Sequence, residues 1–162
     1  MKDRLFVIPH THYDAAVFKT RAEYLDMGLP HILYALQCLR DDSRYRFALD
    51  QVCYIRPFLE RYPEQEANFR EMIARGQLQI VCGMDSMSDV NIPSGESFVR
   101  QVLYGKGYCK DKLGLEVTTG WALDTFGHHP QMPQLLRQAG FDCYYFFRGV
   151  PSVHTPSEFI WE

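Results

Sequence analysis

The chain has 162 residues, of which 46% are hydrophobic and 23% charged, so it can bury a core and is not expected to be disordered. Its formal net charge is only -3, with basic residues scattered among acidic ones, which argues against nucleic acid or an anionic membrane as a partner. The first apolar run is too short for a signal peptide, and no later run reaches membrane-spanning length, so we expect a cytoplasmic protein.

Short apolar runs alternate with longer amphipathic ones in the first half of the chain, a pattern typical of repeated strand and helix units. The first strand is predicted at "RLFVIP", and the capping-box spacing of Thr20 and Glu23 predicts that a helix begins after it. The second strand, "YRFALD", precedes two helical segments, and the second segment is predicted to end at Gly76.

The same alternation continues in the second half. A third strand, "LQIVCG", precedes a helix from Ser94 to Gly114, and a fourth strand, "VTTGWALD", precedes a helix in "PQMPQLLRQAG". The fifth strand is "DCYYFFR". No linker or low-complexity tract interrupts the series, so residues 1–162 are interpreted as one α/β domain with about five mostly parallel strands and no internal boundary.

Polar side chains follow the carboxyl ends of the predicted strands. In parallel α/β sheets and barrels the functional residues lie at these ends, so we expect the polar side chains to form a site there. In chain order, the polar residues that follow the five strands are His10, His12, Asp14, Asp50, Gln51, Asp85, Asp89, Asp124, His128 and Arg148.

His12 and Asp14 have the spacing of a metal half-site. They are two residues apart, so in an extended segment both side chains leave on the same side and can reach one ion. An imidazole with a carboxylate suits zinc or another divalent cation, and Asp124 offers a second carboxylate. The alternative, that the histidines only hydrogen-bond the loop backbone, stays open at this point. His10, which follows Pro9, is interpreted as a group that orients a ligand.

The segment "GWALDTFGHHP" adds a second motif to "HTHYD". An H-x-H-x-D after the first strand, combined with a later W-x-x-D-x-F-G-H, resembles family 38 of the glycoside hydrolases, the zinc-dependent α-mannosidases. The likeness continues through "PSGESFVRQVLYGK" and "MPQLLRQAGFDCYYFFRG". The resemblance implies a retaining glycosidase that removes terminal α-linked mannose from glycans or oligosaccharides, and a fold that is part of a seven-stranded irregular β/α barrel.

The resemblance also implies roles for particular residues. His12 and Asp14 match the positions of zinc ligands, and Asp124 matches the nucleophile, which in this family also binds the zinc. Phe126 and Arg148 match positions that contact the sugar and the nucleophile. These roles suit a retaining glycosidase, which needs one carboxylate to attack the anomeric carbon and a second group to protonate the leaving oxygen.

Some features depart from the family pattern. Val17 stands where many members carry a tryptophan that can stack on the sugar. In family sequences, a fourth ligand histidine and the general-acid aspartate come later than residue 162. The chain is therefore interpreted as an N-terminal fragment of the catalytic domain, which is expected to be inactive by itself and to bind zinc weakly or not at all.

The motifs also allow other interpretations. A metal-dependent amidohydrolase also has H-x-H after its first barrel strand, and a non-catalytic carbohydrate-binding domain would keep the scaffold without turnover. Without the family, Arg148 would be interpreted as a surface or salt-bridge residue, and Trp121 as a core residue. His128 and His129 would be capping or surface groups, and neither is assigned to a metal.

Overall fold

The computed structural model describes residues 4–14, 17–150 and 155–161. The chain forms two compact units, Met1–Ile80 and Val81–Glu162. Each unit contains one pair of parallel strands together with helices, so the α/β class is confirmed. Within the described ranges, no helix has both the length and the apolar character needed to cross a membrane.

The first unit is built around one short parallel ladder. In chain order its elements are α1 (Arg21–Asp41), β1 (Phe47–Leu49), α2 (Val52–Arg61), α3 (Glu66–Ala74) and β2 (Leu78–Ile80). β1 and β2 pair in parallel, with Phe47 opposite Leu78 and Leu49 opposite Ile80. Helix α1 packs against α2 and α3, which buries the apolar faces of these helices and forms the core of this unit.

The predicted ends of the helices in this unit are confirmed. Thr20 and Glu23 form a full capping box, in which the Thr20 N–H donates to the Glu23 carboxylate at 2.8 Å. The Glu23 N–H donates to the Thr20 hydroxyl at 3.4 Å. Gly76, with a φ of 68°, follows α3 and donates its N–H to the Ile73 carbonyl at 2.9 Å. These contacts satisfy backbone groups that a helix end leaves unpaired, and their partners lie only a few residues apart. The sequence alone was therefore enough to locate these two helix ends.

The prediction of a strand at residues 4–9 is wrong. Residues 4–9 form no strand, and an isolated parallel bridge joins the next residue, His10, to Ala48. The Pro9 carbonyl accepts from the Ala48 N–H at 2.9 Å, while Leu5 is 90% exposed and Phe6 is 79% exposed. An apolar run becomes a strand only where a neighbour pairs with it, and β1 offers a partner only to the end of this run. The described residues therefore form four strands and not five.

The second unit contains the other parallel pair. Its elements are α4 (Gly95–Tyr108), a π-helical turn (Cys109–Leu113), β3 (Thr119–Ala122), α5 (Met132–Gln138) and β4 (Cys143–Phe146). Thr119 lies opposite Cys143, and Ala122 lies opposite Phe146. This parallel register brings the carboxyl ends of β3 and β4 together at one edge of the pair.

The long helix of this unit begins and ends where the sequence predicts. The Ser94 hydroxyl caps α4 by accepting from the Ser97 N–H at 3.2 Å. The helix continues into the π-helical turn, which ends at Gly114 with a φ of 71°. Glycine adopts this left-handed conformation without steric cost, so the stop at Gly114 follows from its missing side chain.

Gly105 allows α4 to lie directly against the preceding loop. A Cβ atom at this position would stand 2.3 Å from the Met84 carbonyl carbon and 2.6 Å from the Asp85 nitrogen. We expect Gly105→Ala to lower the free energy of unfolding by about 1–3 kcal/mol, because the rigid backbone of the loop must move. Urea denaturation measures this change.

A matched control lies two residues further along the same helix. Gly107 has nothing within 4 Å of the position that a Cβ would take. We expect Gly107→Ala to raise the free energy of unfolding by about 0.5–1 kcal/mol through helix propensity. If both substitutions stabilised the protein equally, α4 would not be in contact with the loop at Met84.

Candidate active site

His12 and Asp14 lie together in the first unit. Nε2 of His12 is 3.9 Å from Oδ1 of Asp14, and the two side chains are 28% and 42% exposed. Two ligands that each stand about 2 Å from one zinc ion are at most about 4 Å apart, so this separation suits a shared ion. An imidazole and a carboxylate are also the donor types that zinc accepts. The two residues therefore fit a metal half-site, as the motif predicts.

His10 uses its ring in a different way. Nδ1 of His10 is 2.9 Å from the Thr11 carbonyl oxygen. Because a carbonyl oxygen can only accept, this nitrogen carries the proton of the bond. The contact matches the alternative in which a histidine bonds the loop backbone.

Asp50 anchors the loop that carries His12. It follows β1 directly, is only 1% exposed, and accepts a hydrogen bond from the Thr11 hydroxyl at 2.7 Å. The Asp50 N–H donates to the same hydroxyl at 3.2 Å. Burial raises the pKa of Asp50 to about 6, although the Thr11 bond and the charges of His12 and His10 act in the opposite direction. The loop is thereby tied to the end of β1.

Asp124, Phe126 and Arg148 lie together in the second unit. Asp124 follows β3 by two residues and Arg148 follows β4 by two, so the parallel pairing brings both to the same edge. The Arg148 guanidinium forms an ion pair with the Asp124 carboxylate, and its carbon lies 4.0 Å from the centre of the Phe126 ring. Both charged side chains are partly exposed, at 40% and 37%. The arrangement presents an oriented carboxylate beside an exposed aromatic ring.

Two glycines allow the loops after β3 and β4 to touch. Gly149 has a φ of 90°, and a Cβ on it would lie 2.6 Å from the Gly127 nitrogen. Gly127 has a φ of 111°, a conformation that side chains rarely adopt. The close approach sets the segment "DTFGHHP" against Arg148, and Asn91 donates to the Phe126 carbonyl at 3.4 Å.

The other candidates from the sequence have structural roles. Trp121 is 4% exposed and stacks on Tyr145 with the ring centres 4.7 Å apart, which confirms its interpretation as a core residue. Asp89 accepts from the Asn91 N–H at 2.9 Å within its own turn. His129 is exposed, and its Nδ1 accepts from the Gln131 N–H at 3.1 Å, which is the expected capping contact.

Sequence reasoning missed the role of His128. This residue is half-buried, and it makes hydrogen bonds through both ring nitrogens, to Tyr144 and to the Arg148 backbone. It is therefore neither a surface group nor a helix cap. The only signal in the sequence is its place in the motif with Asp124, because its partners come 16 and 20 residues later in the chain.

Comparison with known proteins places these elements in a family. Residues 2–162 match the glycosyl hydrolases family 38 N-terminal domain. The chain therefore belongs to glycoside hydrolase family 38, which confirms the resemblance seen in the motifs.

Its relatives are much longer proteins. Alpha-mannosidase 2 of Mus musculus is 30% identical over 98% of this chain and 14% of its own length. Alpha-mannosidase 2C1 of Homo sapiens is 31% identical over 81% of this chain and 13% of its own length. The crystal structure of an alpha-mannosidase from Enterococcus faecalis V583 has a TM-score of 0.80 and 28% identity, and covers 88% of this chain and 16% of that one. The chain thus spans about one seventh of the length of the curated relatives that it matches.

Proposed function

We propose that this chain carries the nucleophile and metal ligands of a retaining α-mannosidase that removes terminal α-linked mannose from glycans or oligosaccharides. The observation that carries the proposal is the family 38 match over residues 2–162. The paired Asp124 and Arg148 beside Phe126 support it at the level of chemistry. The family match favours neither a metal-dependent amidohydrolase nor a non-catalytic carbohydrate-binding domain.

In this proposal Asp124 is the nucleophile. Its carboxylate attacks the anomeric carbon as the glycosidic C–O bond breaks and the general acid protonates the leaving oxygen. Water then hydrolyses the covalent glycosyl intermediate and releases mannose. Arg148, a rigid two-pronged donor, pairs with the carboxylate and holds it in a fixed orientation. Phe126 is 71% exposed and offers an apolar ring to the sugar.

The metal ligands in this proposal are His12, Asp14 and Asp124, and the metal is zinc or another divalent cation. The spacing of His12 and Asp14 and the imidazole–carboxylate chemistry support this assignment. A zinc ion supplies Lewis acidity and a point of attachment for sugar hydroxyls. Asp50 and Thr11 hold the backbone of the ligand loop, so that His12 stays in place.

We further propose that the strands belong to a seven-stranded irregular β/α barrel, and that residues 1–162 form the N-terminal part of its catalytic domain. The match to an N-terminal domain and the 14% share of the mouse relative support this placement. The fourth metal ligand and the general acid then come from later sequence, and the isolated chain has little or no activity.

Hydrolysis of aryl glycosides by the protein at its full encoded length tests the proposal. We expect release of the aryl group from an α-mannoside and not from the β-mannoside. The activity is expected to disappear when a chelator removes the metal and to return when zinc is added. A folded, zinc-supplied protein that hydrolysed neither substrate would contradict the proposal.

A further inference from the structure

The His128 ring connects the loop after β3 to β4 and to the segment that follows β4. Nδ1 of His128 is 3.1 Å from the Tyr144 hydroxyl, and Nε2 is 2.8 Å from the Arg148 carbonyl oxygen. Tyr144 lies within β4, and Arg148 lies two residues beyond the end of that strand. The histidine thus spans the end of β4 from the loop that follows β3.

The Arg148 carbonyl determines the role of Nε2 in the His128 ring. A backbone carbonyl oxygen can only accept, so Nε2 of His128 must carry a proton and donate to Arg148. Burial raises the pKa of Tyr144, so its hydroxyl keeps its proton and can donate to Nδ1. The same hydroxyl can also accept from Nδ1, so Nε2 is the ring nitrogen whose proton these contacts fix.

Aromatic side chains hold the ring in this orientation. The Phe146 ring centre is 4.5 Å from that of His128, and the Tyr144 ring meets it edge-on at 5.5 Å. Trp161 makes a second edge-on contact at 6.3 Å. Because these contacts leave the imidazole little freedom to turn, Nε2 stays directed at the Arg148 carbonyl.

We propose that His128 is a positioning residue for Arg148, and through Arg148 for the carboxylate of Asp124. The bond from Nε2 fixes the Arg148 backbone where the loops after β3 and β4 touch at Gly127 and Gly149. From this anchored point the guanidinium extends over Phe126 to Asp124. The consequence for hydrolysis rests on the proposed function, whereas the hydrogen-bonded arrangement does not.

Two substitutions separate the hydrogen bonds from the packing of the ring. His128→Phe keeps an aromatic ring against Tyr144 and Phe146 but removes both hydrogen bonds. His128→Gln loses the ring but can place an amide N–H where Nε2 now donates. His129→Gln is the matched control, since His129 is an exposed neighbour whose Nδ1 accepts from the Gln131 N–H within its own turn.

The first measurement is nuclear magnetic resonance of the protein without substrate. We expect His128 to carry its proton on Nε2, and the Arg148 guanidinium signals to be retained in His128→Gln and His129→Gln. In His128→Phe these signals are expected to shift and broaden as the guanidinium loses its fixed position. A proton on Nδ1 with none on Nε2 in the parent protein would overturn the inference even if every variant failed to fold.

The second measurement is hydrolysis of an aryl α-mannoside by the protein at its full encoded length. We expect kcat/KM to fall about tenfold in His128→Phe, a barrier change of about 1.4 kcal/mol, and to stay within about threefold of the parent in His128→Gln. In an Arg148→Lys background His128→Phe should cost less than about threefold, because the guanidinium that it aims is gone. Equal losses in both backgrounds would overturn the inference while leaving the proposed α-mannosidase activity standing.

Discussion

Replacing Asp124 by asparagine is expected to lower the rate of aryl α-mannoside hydrolysis by more than about 10³-fold, on the order of 4 kcal/mol of barrier. The amide has nearly the same size and can still accept a hydrogen bond from Arg148, so the fold should be retained. It cannot form the covalent glycosyl intermediate. An aryl leaving group needs little protonation, so the assay reports the attack step and not the general acid.

Two further variants show whether this loss is specific. Asp111→Asn changes an exposed carboxylate in the π-helical turn and should leave the rate unchanged. Arg148→Lys keeps a positive charge near Asp124 but loses the planar fork, so we expect a fall of only about tenfold. If Asp124→Asn kept more than about a tenth of the parent rate, Asp124 would not be the nucleophile, and a metal-activated water would become the better explanation.

The second large effect is expected for the metal. His12→Ala should weaken zinc affinity by more than about 100-fold, since even residues that only support a ligand change affinity by about 10- to 100-fold. The imidazole is the one neutral donor that this chain supplies to the proposed ligand set. Without it, the ligands that this chain contributes to the proposed set are two carboxylates, Asp14 and Asp124, which would repel each other in a shared site without an ion.

Competition with a chromophoric chelator, for the protein at its full encoded length, measures this affinity directly, without an activity assay. His129→Ala provides the control, because this histidine is exposed, hydrogen-bonds within its own turn and is not in the proposed ligand set. Hydrolysis by His12→Ala should recover in part when excess zinc is supplied. A His12→Ala protein that bound zinc as tightly as the parent would remove His12 from the ligand set.

The local features of the fold were predictable because they depend on neighbouring residues. The capping box at Thr20 and Glu23 and the stop at Gly114 are contacts or conformations within a few residues. The prediction of a strand at residues 4–9 was wrong because strand formation does not depend on neighbouring residues alone. An apolar run indicates that a segment can form a strand, but pairing also needs a partner strand. Here the partner lies about 40 residues away, and of the described residues at this end of the chain it bridges only His10, through Ala48.

The candidate site shows the same division. Asp124 and Arg148 were located from the sequence because both follow strands, and parallel pairing then brings their side chains together. The contact of His128 with the Arg148 carbonyl could not be predicted from residue types, because every residue has a backbone carbonyl oxygen. The contact of Asp50 with Thr11 likewise joins two loops that are distant in the sequence.

The central claim is that Asp124 attacks the sugar, and trapping the intermediate tests it most directly. A fluorinated α-mannosyl fluoride that reacts quickly but is hydrolysed slowly should accumulate as a glycosyl ester on the protein at its full encoded length. Peptide mass spectrometry is expected to find the added sugar on Asp124, in the peptide that contains "GWALDTFGHHP", and to find none in Asp124→Asn. A sugar attached to another carboxylate, or inactivation of Asp124→Asn at the parent rate, would contradict the account.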